Sequence, residues 1–143
     1  MNYLEAWDAI ITRIIAAVPG LQEVRAITDA THVSSAQAKT PSAYVLYDGE
    51  SVLDADRGDA TVQQRYVVIL STRNAGGATA GIEDAGVLLH AIHAALAGYE
   101  PGTFHTELER AGSTSAEYAP GGVAHYPLAF VTNLVIPPGG YTS

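Results

Sequence analysis

The chain has 143 residues, of which 48% are hydrophobic and 15% charged, with no cysteine and a formal charge of −8. That length fits one domain, which buries about two-thirds of its unfolded surface on folding. The missing cysteines exclude disulfides, thiolate zinc sites and a cysteine nucleophile, and the seven basic residues (Arg13, Arg25, Lys39, Arg57, Arg65, Arg73, Arg110) are scattered and form no patch for DNA or an anionic membrane.

Residues 3–18 read as a helix, with Leu4, Trp7, Ile11, Ile14 and Val18 on one face and Pro19-Gly20 as its stop. The acids Glu5 and Asp8 sit in the first turns, where the helix dipole favours them. The same acidic N-terminus lacks a basic leader, so no signal peptide is expected. No apolar run approaches the roughly 18 residues of a membrane helix.

Residues 22–29 read as a short strand carrying Val24 and Ile27, and residues 30–42, small and polar, as a long loop. Residues 43–53 are a strand, 54–59 a turn by composition, and 61–72 the clearest strand of the chain. The continuously apolar second half of 61–72 predicts burial on both faces of a sheet. Together 43–53 and 61–72 make a long antiparallel hairpin.

Residues 74–81 read as a Gly/Ala linker and 82–97 as a second helix, with Ile82, Ala85, Leu88, Leu89, Ile92 and Leu96 in one stripe and Gly98 at its C-terminal end. Residues 103–111 and 114–119 are short strand candidates, and 123–136 is a long one. Pro127 within it predicts an edge position or a bulge, because the ladder loses a donor there. The order is α-β-β-β-α-β-β-β, which predicts an α+β fold: a mostly antiparallel sheet with a long β-hairpin, packed by two amphipathic helices. Residues 1–136 form the single domain and 137–143 a flexible tail.

Little in the chain reads as chemistry. Asp54, Asp56 and Asp59 evoke a calcium loop, but Gly58 and Asp59 stand in the wrong order for one, so a solvated hairpin tip is expected. The tripeptide Arg57-Gly58-Asp59 is a chance match to an integrin ligand. His90 and His93 lie three apart on a helix without a third ligand, and His32, His105 and His125 are in unrelated segments. Ser113 and Ser115 lie in a turn and not in a nucleophile elbow. The linker lacks the Lys-Ser/Thr ending of a phosphate loop. Glu107 and Glu109 are an ordinary pair on a strand face. No catalytic residue, metal ligand or cofactor is therefore expected, and a small metal-dependent hydrolase built on 54–59 or the histidines is the distant alternative.

The composition favours contact surfaces instead. A charged share of 15% is low beside the usual ~25%, as when part of the surface is hidden in an assembly. Eight tyrosines against two phenylalanines suit interfaces, since tyrosine joins apolar area to a polar tip. Tyr44, Tyr47, Tyr66 and Tyr126 fall on predicted strands, where core packing competes with that reading. Tyr141, in the tail, has no core to join.

One stretch carries a resemblance. The hairpin strand Arg65-Tyr-Val-Val-Ile-Leu-Ser-Thr-Arg73 leads through Asn74–Gly81 to the helix from Ile82 to Leu96. The helix closes at Gly98-Tyr-Glu-Pro101, and a strand with Tyr126-Pro-Leu-Ala-Phe-Val-Thr132 follows. In element order and texture this resembles the tail terminator and tail-completion proteins of long-tailed, Mu-like phages. The resemblance implies a non-enzymatic virion protein. It would form a homohexameric ring that caps the tail tube, stops its polymerisation and joins it to the head-side connector. DNA would pass through the ring without specific binding. It implies a place in the tail or neck of the virion, and in the host cytoplasm during assembly. A head-completion or neck adaptor protein is the alternative. In this frame Asp54, Asp56 and Asp59 are expected to face the lumen or a partner ring, and Arg65, Tyr66, Tyr126 and Tyr141 a subunit interface.

Overall fold

A computed structural model describes residues 2–29, 39–73, 78–119 and 121–137, apart from the side chains of 78–83. Most of 30–42, residues 74–77 of the expected linker and the tail beyond Pro137, with Tyr141 and His32, lie outside the described residues. The described elements are two helices and six strands, in the order α1 (Glu5–Ala17), β1 (Glu23–Ile27), β2 (Ser42–Asp56), β3 (Asp59–Arg73), α2 (Ala78–Leu96), β4 (Glu109–Ala111), β5 (Glu117–Ala119) and β6 (Val123–Ile136). The fold is α+β, as expected.

Asn2 starts α1. Its side-chain carbonyl accepts from the Leu4 amide at 2.9 Å and its backbone carbonyl from Glu5 at 3.0 Å, which satisfies donors that a helix start leaves free. The deepest row is Ala6, Ile10 and Ile14, extended by Val18, while Trp7 and Ile11 pack partly buried beside it. The apolar face is thus rotated by about one residue from the expected row, because small Ala6 permits the closest approach. Trp7 still anchors the helix, its indole N–H donating to the Val45 carbonyl at 2.8 Å.

The sheet runs β1-β2-β3-β6-β4, with β5 also paired to β6. The β1–β2 pair is parallel and the others are antiparallel. β3 lies at the centre and pairs with β6 from Ala60↔Ile136 to Arg73↔Val123. The run Val68–Thr72 is buried on both faces, as its apolar pattern predicts. On one face, α1 and α2 cover Ala43, Val45, Tyr66, Val68, Leu70 and Phe130. On the other, Ile27, Tyr44 and Ile69 form a smaller cluster.

β6 has the expected bounds, and Pro127 is accommodated by a local gap. β5 pairs with β6 at 123–125 and β4 at 129–131. The Pro127 carbonyl, which accepts from Ser113 Oγ at 3.0 Å, points into the space between them. A strand residue directs its N and C=O to the same side, so the donor missing at Pro127 is missing where no strand needs it.

Three expectations give way. Residues 103–111 form a strand only at Glu109–Ala111, with a lone bridge from His105 to Leu134 before it, because His105 turns inward. α2 begins at Ala78 instead of 82, so Ala/Gly residues read as linker are helical and Glu83-Asp84 fall in its second turn. The turn is Arg57-Gly58 alone, with Asp54 and Asp56 on β2 and Asp59 on β3. Both turn residues have positive φ, 51° and 92°, the geometry that matches the right-handed twist of the strands it joins.

A buried polar chain ties α1 to the sheet. The Gln64 side-chain carbonyl accepts from the Tyr66 hydroxyl at 3.1 Å and from His105 Nε2 at 3.1 Å, while Gln64 Nε2 donates to the Tyr3 carbonyl at 3.0 Å. That leaves His105 Nδ1 facing Glu5 Oε1 at 3.5 Å, each without a hydrogen-bond partner. Burial lowers the His105 pKa, against an opposing pull from Glu5. A second histidine, His125, lies at 2.7 Å from Ser71 Oγ and is likewise lowered by burial, against Glu117.

Gly102 closes this pocket: a Cβ there would collide with Glu5 Oε1 and come within 2.7 Å of His105 Nδ1. Gly102→Ala is expected to cost about 1–3 kcal/mol by overpacking, read as a lower urea midpoint at unchanged slope. The histidines set an acid limit. They stay neutral in the folded chain at a pH where the unfolded chain, with ordinary values near 6.5, takes up protons. The unfolded state then binds more protons, and stability falls with pH below about 6.5 while these histidines leave it flat from there to about pH 8. Urea unfolding between pH 5 and 8 checks this, and His105→Gln or His125→Gln should flatten the decline.

Candidate functional site

β2 and β3 carry 15 residues each, so the hairpin is about 50 Å long. Its proximal half lies under the helices. Beyond Tyr47 it leaves them, and from Glu50 to Asp56 every residue of β2 is exposed. β1 borders β2 only over Ser42–Leu46, so among the described residues the outer edge of β2 is open from there to the turn. Two register slips, between Tyr47 and Glu50 and between Val52 and Asp54, bend it, with Gly49 at φ 92°. This distal segment is called the arm.

The base of the arm is pinned. Glu50 accepts from the Tyr3 hydroxyl at 2.6 and 2.8 Å and from the Tyr47 hydroxyl at 3.0 Å. Burial first, and then the Glu50 carboxylate, pushes the Tyr47 pKa up to about 12, so its hydroxyl stays a donor. The Tyr47 ring stands 6.2 Å from Trp7 and 5.3 Å from Tyr66. Helix, core and arm are thereby joined through aromatic contacts.

The tip combines acid and apolar groups. Asp54, Asp56 and Asp59 converge on one groove of about 230 Å³, floored by Val135, Ile136 and Pro137. Asp56 lies directly opposite Asp59 in the ladder, where like charges oppose pairing. Val52 (64% exposed), Leu53 (53%) and Val135 (46%) stand in solvent close by. Exposed apolar groups thus stand beside two facing carboxylates, an arrangement that adds nothing to the stability of a monomer.

The remaining expected interface residues scatter. Tyr66 is fully buried (0% exposed) with its hydroxyl on Gln64, so it is a core residue and offers no surface. Arg65 is held within the chain, by Asp48 Oδ2 at 3.1 Å and the Gly112 carbonyl at 2.5 Å. Tyr126 is half-buried and meets Tyr118 edge-on at 6.1 Å. Tyr118, exposed on β5, is an aromatic surface group that the sequence reading passed over, as it passed over Glu50, Val52 and Leu53. An apolar pair next to an aspartate inside an otherwise mixed strand is the signal that marks the last two. His90 is exposed, and His93 lies 6.1 Å from the Phe130 ring. Among the described residues no group of His, Asp or Glu is arranged to hold a metal ion.

A search of curated proteins gives no match. Among solved structures, a chain of the virion of a native gene transfer agent particle superposes with a TM-score of 0.62 at 18% identity, covering 94% of this chain and 99% of that one. At that identity the likeness is one of fold. The sequence itself matches the family model described as phage tail terminator protein over residues 1–141, nearly its whole length, and the chain belongs to that family.

Proposed function

We propose that this tail structural protein forms a homohexameric ring that caps the finished tail tube, stops its polymerisation and joins it to the head-side connector. The observation that carries the reading is the arm: an exposed, apolar and acidic extension on a chain that matches a tail terminator family from end to end. The low charged share agrees with surface hidden in ring contacts. A net −8 per copy gives a ring an acidic field that repels DNA and lets it slide through without sticking. Asp54, Asp56 and Asp59 contribute to that field or meet a partner ring. The protein acts in the host cytoplasm during assembly and then as part of the virion tail.

Native mass measurement at micromolar concentration tests the ring, with six copies expected. A monomer at every accessible concentration would refute it. Mixing the purified ring with polymerising tail tube protein tests its place: elongation should stop at the capped end. Binding to the connector without any effect on tube growth would make the protein a neck adaptor instead.

A further inference from the structure

The ring reading leaves open which surfaces meet. At the far end of the sheet from the arm tip lies a second groove, of about 490 Å³, lined by Pro41, Arg73, Asp84, Val87 and Leu88 among others. Val87 is 70% exposed, the barest apolar side chain on the described part of α2. We propose that the arm tip of one copy docks in this groove on the next copy, a proposal that rests on the ring reading and names its contact.

Shape and distance argue for two copies. Asp59 is the first residue of β3 and Arg73, in the groove, the last. A 15-residue strand separates them by about 45 Å, so the arm cannot reach the groove of its own chain. Charge argues for arm-to-groove over arm-to-arm. Two arms face to face would bring together Asp54, Asp56 and Asp59 from each copy, three carboxylates against the single cation Arg57 of each turn, and like charges in contact are selected against. The groove holds Arg73, and exposed Lys39 stands beside its Thr40–Pro41 wall. In a chain with seven basic residues against fifteen acidic ones, that is a favourable place for carboxylates, although Asp84 shares it. Apolar groups match as well, since Val52 and Leu53 on the arm would meet Val87 and Leu88. Donor and acceptor surfaces differ, so each copy uses both, and such head-to-tail contacts give a ring when the rotation between copies closes.

The chain's lack of cysteine makes the test clean. Leu53→Cys and Val87→Cys both alter exposed positions and leave the core intact. Mixed under oxidising conditions, the two variants should give a covalent dimer that neither gives alone, and a chain carrying both should give a ladder ending at the ring size. A second measurement avoids dependence on disulfide geometry. Asp54→Lys with Asp56→Lys, and separately Lys39→Glu with Arg73→Glu, should each raise the concentration needed for assembly by about tenfold or more. Mixing the two reversed chains should recover much of that loss. A wild-type ring that gives no mixed cross-link and ignores both reversals overturns the docking and leaves the ring reading standing. Cross-linking by Leu53→Cys alone, showing arm-to-arm contact, overturns it too. A wild-type chain that stays monomeric overturns both readings.

Discussion

β3 is paired on both sides along nearly its whole length, with β2 from Ser42 to Asp56 and with β6 from Val123 to Ile136. An isolated two-stranded hairpin is marginal in water, and an arm of β2 and β3 alone would fray where it leaves the helices. β6 continues beside β3 to Ala60↔Ile136, two residues from the turn. The exposed arm is therefore three strands wide almost to its tip. Val62 of β3 and Leu134 of β6 are buried on one surface of it, while the β2 residues from Glu50 to Asp56 face solvent.

That ladder is continuous with the packed end of the molecule. The strands that form the arm also hold Val45, Tyr66, Val68, Leu70 and Phe130 under α1 and α2. At the junction, Trp7 reaches the Val45 carbonyl, and Tyr3 and Tyr47 grip Glu50. The chain Tyr66–Gln64–His105 lies just beneath, linking the arm's base to the loop at Gly102. Tyr66, Gln64 and His105 are buried, and a polar group there is costly if left unpaired. Directional hydrogen bonds of this kind tie the base of the arm to the body at defined atoms.

Much of the fold was legible because it rests on local pattern. β6 could be bounded from its apolar run, and Gly98 marked the end of α2 because a left-handed residue there suits glycine, as its φ of 81° bears out. What failed did so for physical reasons. Asp54 and Asp56 look like turn residues, yet an exposed strand tolerates them once β3 supplies its ladder. Glycine in the 78–81 stretch argued for a linker, but it costs a helix only about 1 kcal/mol. Tyr66 looked like an interface residue because its hydroxyl's partner, Gln64, and its aromatic neighbour Tyr47 come together with it only in the folded sheet. The site was half legible: the acids of the tip were visible, whereas Val52, Leu53 and the groove on α2 acquire meaning only from exposure.

The arm and the groove also bear on why so acidic a chain would assemble at all. Copies carrying −8 each repel one another at long range, and that repulsion is screened beyond about 8 Å at physiological ionic strength. Contact must then be won locally, by apolar burial and by the few basic groups present. Most of those groups are already engaged: Arg13 donates to the Ala95 carbonyl, Arg25 pairs with Glu23, Arg65 with Asp48, and Arg110 reaches the Ala111 and Ala129 carbonyls. Arg73, which donates to the Gly121 carbonyl, and Lys39 stand together at the far end of the sheet, while Arg57 lies in the turn among the acids of the tip. If the arm of one copy meets the groove of the next, as proposed, the contact joins two unlike surfaces, and that asymmetry favours a directional assembly over a symmetric pair.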